Sequence, residues 1–182
     1  MRSLWLLAIL LTGCASLPPA PAAHPTLSTP FALNGRIAVN HQGERHSAGL
    51  RWTHSTQSDE ILLLTPIGQT AARVYRDVMH ATLDDGDQHY QAVDAETLMQ
   101  QVLGWYLPMN GLHHWVLGLA DGVDASQIER DAHNQIVVLH QNGWEIRYLR
   151  YADTRQDSLP TRLQLSHDDL QIVLLIDEWE LP

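Results

Sequence analysis

From residue 31 onward the chain alternates. Phe31, Leu33, Ile37 and Val39 are apolar, with Asn34, Arg36 and Ala38 among them. A period of two predicts strands with one buried face. Gln42-Gly43 turns the chain. Ala48, Leu50 and Trp52 then alternate with Gly49, Arg51 and Thr53. Residues 60–65, EILLLT, are apolar on both faces and predict an interior strand. Residues 70–76 follow after a tight turn. Residues 79–83 and 89–93 predict a hairpin around Asp84-Asp85-Gly86.

The period changes in the middle. Asp94 can cap a helix over residues 95–103, with Leu98, Val102 and Leu103 as its apolar stripe. Pro108 interrupts. Asn110 is placed to cap a second short helix carrying Leu112, Trp115 and Val116, ended by Gly118. Strands resume over residues 136–140 and 144–151, on either side of Asn142-Gly143, a strong hairpin signal. Leu163 and Leu165 pair across His167-Asp168-Asp169 with Leu170, Ile172, Leu174 and Ile176. The expectation is a mainly β chain with a small α part. About ten or eleven strands would form a curved antiparallel sheet, an incomplete barrel with helices across its mouth.

The first thirty residues follow other rules. Met1-Arg2-Ser3 is a short positive start, and LWLLAILL, residues 4–11, is an apolar run. It is shorter than the roughly 20 residues that span a bilayer, and it has the form of a secretory signal. Leu11-Thr12-Gly13-Cys14 ends it and contains the one cysteine of the chain, which therefore forms no internal disulfide. The tetrapeptide resembles the lipobox of bacterial lipoproteins, which implies cleavage before Cys14 and acylation of its sulfur and new amino group. An ordinary signal with an incidental cysteine is the alternative. Ala15 and Ser16 resemble the outer-membrane-sorted kind. Five of the nine prolines lie in residues 15–30. In polyproline geometry, at ~3.1 Å per residue, that segment reaches ~50 Å. The expected organisation is a signal at 1–13, a lipidated cysteine and tether at 14–30, and one domain at 31–182.

Composition narrows the function. The chain has 182 residues, a net charge of −10 and no lysine. No basic stripe exists for nucleic acid or for anionic lipid, so attachment to a membrane falls to the anchor. Of the 11 histidines, the closest pairs are His41/His46 and His113/His114. Neighbours on a helix point about 100° apart, so the second pair is not expected to converge on an ion. No HExxH or other zinc spacing occurs. No GxSxG elbow and no glycine-rich phosphate loop is present. Asp84, Asp85 and Asp87 lack the later ligands of a calcium loop and predict a solvated turn. No catalytic residue, metal site or cofactor is assigned, and the chain is not expected to be an enzyme.

One turn is unusual. Pro66-Ile67-Gly68 puts a bulky β-branched residue where turns carry polar ones. Ile67 either folds back on the core or stands exposed. Three blocks accompany it: LLLTPIGQT from Leu62, YQAVDAETLMQQVLGWYLPMNGLHHWVLGL from Tyr90, and LPTRLQLS with LQIVLLIDEW near the end. In this order, behind a lipobox, they resemble the LolB family of outer-membrane lipoprotein receptors over about residues 31–179. That resemblance implies an incomplete β-barrel with a helical lid and an apolar cavity. It implies an acceptor that takes client lipoproteins from the periplasmic carrier LolA and inserts them into outer-membrane lipid without nucleotide. It would act as a monomer, lipid-anchored through Cys14 at the periplasmic face of the outer membrane. The loop Pro66, Ile67 and Gly68 matches the family's membrane-insertion loop, with isoleucine where leucine is common. A proline-rich tether stands where the family often has a helix. Ile37, Leu50, Trp52, Leu63, Ile146 and Tyr148 are candidate cavity walls, and Leu112, Trp115 and Val116 candidate lid residues. The same nine could instead make a solid core. A lipid-anchored module for some other apolar ligand, or a structural envelope lipoprotein, is the competing reading.

Overall fold

The computed structural model describes residues 25–120, 122 and 127–182. The signal and Cys14 lie outside the described residues. Among the described residues eleven strands occur in chain order: β1 (Phe31–His41), β2 (Glu44–His54), β3 (Asp59–Leu64), β4 (Thr70–Arg76), β5 (Ala81–Asp84), β6 (His89–Ala92), β7 (Ile128–Arg130), β8 (Ile136–Gln141), β9 (Trp144–Tyr151), β10 (Pro160–His167) and β11 (Leu170–Glu180). Helices α1 (Ala95–Leu103) and α2 (Met109–Trp115) separate β6 from β7. The strands form one sheet in the order β6-β5-β4-β3-β2-β1-β11-β10-β9-β8-β7. All its pairings are antiparallel, and the ends β6 and β7 do not join.

Alternation decides which face is which. Leu33, Ile37, Leu50, Trp52, Ile61, Leu63, Val74 and Leu83 are buried, as are Ile146, Leu163, Leu165, Ile172 and Leu174. All contribute to one apolar cluster on one face of the sheet, with both helices packed into it. Gly35 sits at a register shift between β1 and β11. A Cβ there would run into the Leu175 carbonyl, so the two backbones approach only because the residue is glycine.

Helix α1 starts where expected. The Asp94 side chain accepts from Thr97 N at 2.7 Å, and Gly104 closes the helix at φ 78. Helix α2 corrects the expectation. Pro108, not Asn110, holds its N-cap position, with no side-chain cap bond. The Asn110 amide oxygen accepts from Arg76 instead. Strand β7 was not anticipated. Met79 lies in the turn before β5 rather than in the strand.

Strand direction sorts the turns into two rims. The N-terminal rim has the start of β1, the turns after β2, β4, β7 and β9, and the ends of β6 and β11. The other rim, named here for Ile67, has the turns after β1, β3, β5, β8 and β10. The longest strands, β1, β2 and β11, have 11 residues each. At ~3.3 Å per residue they separate the rims by up to roughly 36 Å.

Candidate functional site

The nine residues expected to line a cavity come together. Ile37, Leu50, Trp52, Leu63, Leu112, Trp115, Val116, Ile146 and Tyr148 are all buried in the one cluster between sheet and helices. The sheet supplies six, because period two turns each of them to the inner face. The α2 region supplies three. Sequence reasoning missed the link between the helices, where Trp105 and Leu107 are also buried in the cluster, and Met109 at the start of α2. As it stands the space is filled: Trp52, Trp115, Met99, Met109 and Leu112 are almost wholly without exposure.

Polar ties hold the helices to the sheet. On one side Arg76 donates from Nη2 to the Met109 carbonyl at 3.0 Å and from Nη1 to Asn110 Oδ1 at 3.0 Å. Its Nε donates to Asp59 Oδ2 at 2.7 Å. Asp59 is 3% exposed and also accepts from Trp52 Nε1 at 2.8 Å, while His54 Nδ1 lies 2.7 Å from its Oδ1. Burial alone would raise the Asp59 pKa. The hydrogen bond with His54, the charge of Arg76 and the bonds from Arg76 and Trp52 outweigh that and hold it below 3.8. On the opposite side the Tyr148 hydroxyl donates to the Trp115 carbonyl at 3.0 Å, and Trp115 Nε1 donates to Gln141 at 2.8 Å. Burial raises the Tyr148 phenol well above 10, so it stays a neutral donor. His41 Nδ1, 2.9 Å from the Gly104 carbonyl, ties down the end of α1.

His113 and His114 do not splay apart as their helical neighbourhood suggested. Their ring centroids are 3.9 Å apart. Each is nevertheless engaged separately: His113 Nδ1 with the Met109 carbonyl at 3.0 Å, His114 Nε2 with the Leu27 carbonyl at 3.1 Å. His113 stacks on His54. Burial lowers the His113 pKa from 6.5 to about 4, which keeps the ring neutral. Among the described residues no group of three or more His, Cys, Asp or Glu is placed to hold a metal. Asp85 accepts from the backbone N–H of Asp87 and Gln88, which makes the acidic stretch a self-bonded turn.

The unusual turn is a tight hairpin. Gly68 N donates to the Thr65 carbonyl at 2.9 Å, Thr65 N to the Gln69 carbonyl at 2.8 Å, and Gly68 has φ 81. A left-handed glycine after such a turn is a standard way to close a short hairpin. It leaves Ile67 79% exposed at the tip. An outer-face groove of about 410 Å³ runs beside it, over Pro66, Leu64, Val173 and Leu175. A cleft of about 470 Å³ opens on the N-terminal rim between Leu117, Leu119, Ile136 and Tyr151. None of the nine residues lines that cleft.

A sheet left open along one side, its inner face packed with helices, defines the half-barrel class of LolA-like and LolB-like proteins. A LolA superfamily protein of Nitrosomonas europaea superposes with a TM-score of 0.52 over 87% of this chain and 89% of its own, at 9% identity. That is a likeness of fold alone. The family "Outer membrane lipoprotein LolB" matches residues 29–179. The outer-membrane lipoprotein LolB of Azoarcus sp. is 38% identical over 94% of this chain and 90% of its own. That of Chromobacterium violaceum is 36% identical over 96% and 95%. The chain belongs to the LolB family. It is a receptor of outer-membrane lipoprotein trafficking.

Proposed function

We propose that this receptor takes the acyl chains of a client lipoprotein from the soluble carrier LolA, holds them against the inner face of the half-barrel, and passes them to the outer membrane. Acylated Cys14 anchors it there by way of the tether, and Ile67 guides insertion. The observation that carries the reading is Ile67, held exposed by a hydrogen-bonded hairpin at one end of a sheet with a continuous apolar inner face.

Three acyl chains of ~16 carbons left in water would cost tens of kcal/mol at roughly 0.8 kcal/mol per methylene. They need an apolar container at every stage. With no energy source, transfer runs downhill, from carrier to receptor to bilayer, through increasing affinity at each step. Because the interior is filled in the empty protein, chains enter as α1, α2 and their link yield. Leu112, Trp115 and Val116 then exchange contacts with the sheet for contacts with lipid.

The test is transfer of a labelled lipoprotein from loaded carrier to the receptor without nucleotide, followed by transfer into vesicles. The expected result for Ile67→Asp is normal uptake from the carrier and impaired insertion. Its stability should stay within ~0.5 kcal/mol of the parent, as for exposed sites generally. Normal insertion by Ile67→Asp would overturn the role given to Ile67. Failure of uptake by the parent would favour the apolar-ligand or structural alternative.

A further inference from the structure

Among the described residues seven large apolar side chains stand exposed, and five of them lie on the N-terminal rim: Leu27, Val78, Met79, Val93 and Leu181. Val78, Met79 and Val93 are the most exposed of these, at 82%, 78% and 88%. They share one corner. The β4–β5 turn carries the first two. Val93 is one residue beyond Ala92, the register partner of Ala81 at the start of β5.

The corner is built to present them. Asp77 N donates to the His80 carbonyl at 3.0 Å, and the Asp77 carboxylate accepts from the N–H groups of Met79 at 2.8 Å and His80 at 3.0 Å. Asp94, next to Val93, gives its carboxylate to Thr97. Both acids thus bond to their own neighbourhood while the apolar side chains face outward. Single exposed apolar residues are ordinary; a group of them at one corner marks a contact surface.

Where the chain leads decides what covers it. Phe31 begins β1 on this same rim, and His114 holds the Leu27 carbonyl there. Residues 14 and 25 are eleven positions apart. At ~3.1 Å per residue that is a reach of about 35 Å. An acylated Cys14 is therefore tied to the domain at the N-terminal rim, with the Ile67 rim up to roughly 36 Å beyond. With no lysine and a net charge of −10, the chain gains no charge attraction to anionic lipid, so apolar contact is what remains.

We propose that Val78, Met79 and Val93 seat the N-terminal rim on the bilayer that holds Cys14. At rest Ile67 then points away from the membrane, towards an arriving carrier. Ile67 and the patch lie at opposite ends of β4, whose seven residues span roughly 23 Å. A bilayer that meets the N-terminal rim end-on cannot reach Ile67 at the same time, so delivery through Ile67 requires the domain to turn over on its tether. This rests on the anchor reading of Cys14.

The test uses the full acylated chain in phosphatidylcholine vesicles. Cys14 is the only cysteine and acylation consumes its thiol, so Val78→Cys, Val93→Cys and Ile67→Cys each provide one site for a bimane label. Mass analysis of the N-terminus and vesicle flotation check the anchor independently; a Cys14 that is found unmodified, or an acylated chain that fails to float, refutes the anchor itself. With the anchor in place, a nitroxide lipid should quench positions 78 and 93 roughly threefold more than position 67, as expected for side chains that enter the headgroup region. Aqueous iodide should give the reverse order. Equal quenching, or stronger lipid quenching at 67, overturns the proposal. Shielding of 78 and 93 from both quenchers also overturns it, since a protein would then cover the patch. Adding Val78→Asp, Met79→Asp and Val93→Asp to labelled Ile67→Cys should raise lipid quenching at 67, and an unchanged value overturns the seating role.

Discussion

Replacing Arg76 by methionine keeps the stem of the side chain and removes its charge. In the parent, the side chain of Arg76 is 20% exposed and that of Asp59 4%, and their contact is 2.7 Å. Breaking a fully buried pair from one side costs ~3–5 kcal/mol, because the other charge stays buried. Here Trp52 and His54 still bond Asp59, and the arginine is partly open to water, which lowers that share to ~2–3 kcal/mol. The two bonds to α2 add about 1 kcal/mol together at a half-open site. A loss of ~3 kcal/mol lowers the melting temperature of a domain of this size by roughly 6–12 °C. The pH dependence identifies the cause. Without Arg76, burial lifts the folded-state pKa of Asp59 towards or above its unfolded value. The deficit is then smallest near pH 4, where Asp59 can take a proton, and grows as pH rises towards 7. Thermal unfolding of parent and variant from pH 4 to 8 measures it. Adding Asp59→Asn should restore about half the loss, since no unpaired charge is left. A deficit below about 1 kcal/mol, or one independent of pH, would refute the reasoning.

His113 gives a second test of sign. Its folded pKa of about 4 lies below the ordinary 6.5, so its contribution is fully present above pH 6.5 and is lost as pH falls from 6.5 to 4. The full difference is at most ~3.4 kcal/mol, and partial exposure reduces it to roughly 1–2 kcal/mol. His113→Phe should flatten that part of the stability profile in chemical denaturation. Asp94→Ala removes the α1 cap and should cost ~1 kcal/mol by the same assay; a change under ~0.3 kcal/mol would mean the cap bond is replaced by water at no loss.

The limits of β4, β9 and α1 could be read from the chain because their signals are local: Gly68 after Pro66, Asn142-Gly143, and Asp94 before an apolar stripe. Alternation likewise assigned Ile37, Leu50, Trp52, Leu63, Ile146 and Tyr148 to the inner face. The start of α2 was misplaced for a non-local reason: Asn110 is held by Arg76, 34 residues earlier. The Asp59 cluster was hidden in the same way. His54 and Arg76 are the register partners of Asp59 on either side, and such partners emerge only once the strands are aligned. Strand β7, with three residues on the edge of the sheet, is too short to display a period.

The filled interior and the polar ties together set the terms on which a container could open. Exposing Met109, Leu112, Trp115 and Val116 to water would cost ~6–12 kcal/mol, at ~1.5–3 kcal/mol for each buried side chain. Arg76, Tyr148 and His41 add ~0.5–1.5 kcal/mol each, since water replaces their bonds. On the container reading an empty receptor therefore stays shut and hides its apolar face. Acyl chains that occupy the same space remove most of the first term, because the displaced side chains and the sheet then meet lipid instead of water. The ties remain as a tax on loading. On the container reading, Arg76→Met should thus act in two directions. It destabilises the empty fold, yet it raises apparent affinity for a fluorescent fatty acid by the factor its lost α2 bonds represent, roughly fivefold for about 1 kcal/mol. A solid core predicts no fatty-acid binding by the parent at all. Lower affinity in the variant, measured where both proteins are folded, would mean that Arg76 shapes the loaded state rather than guarding the empty one.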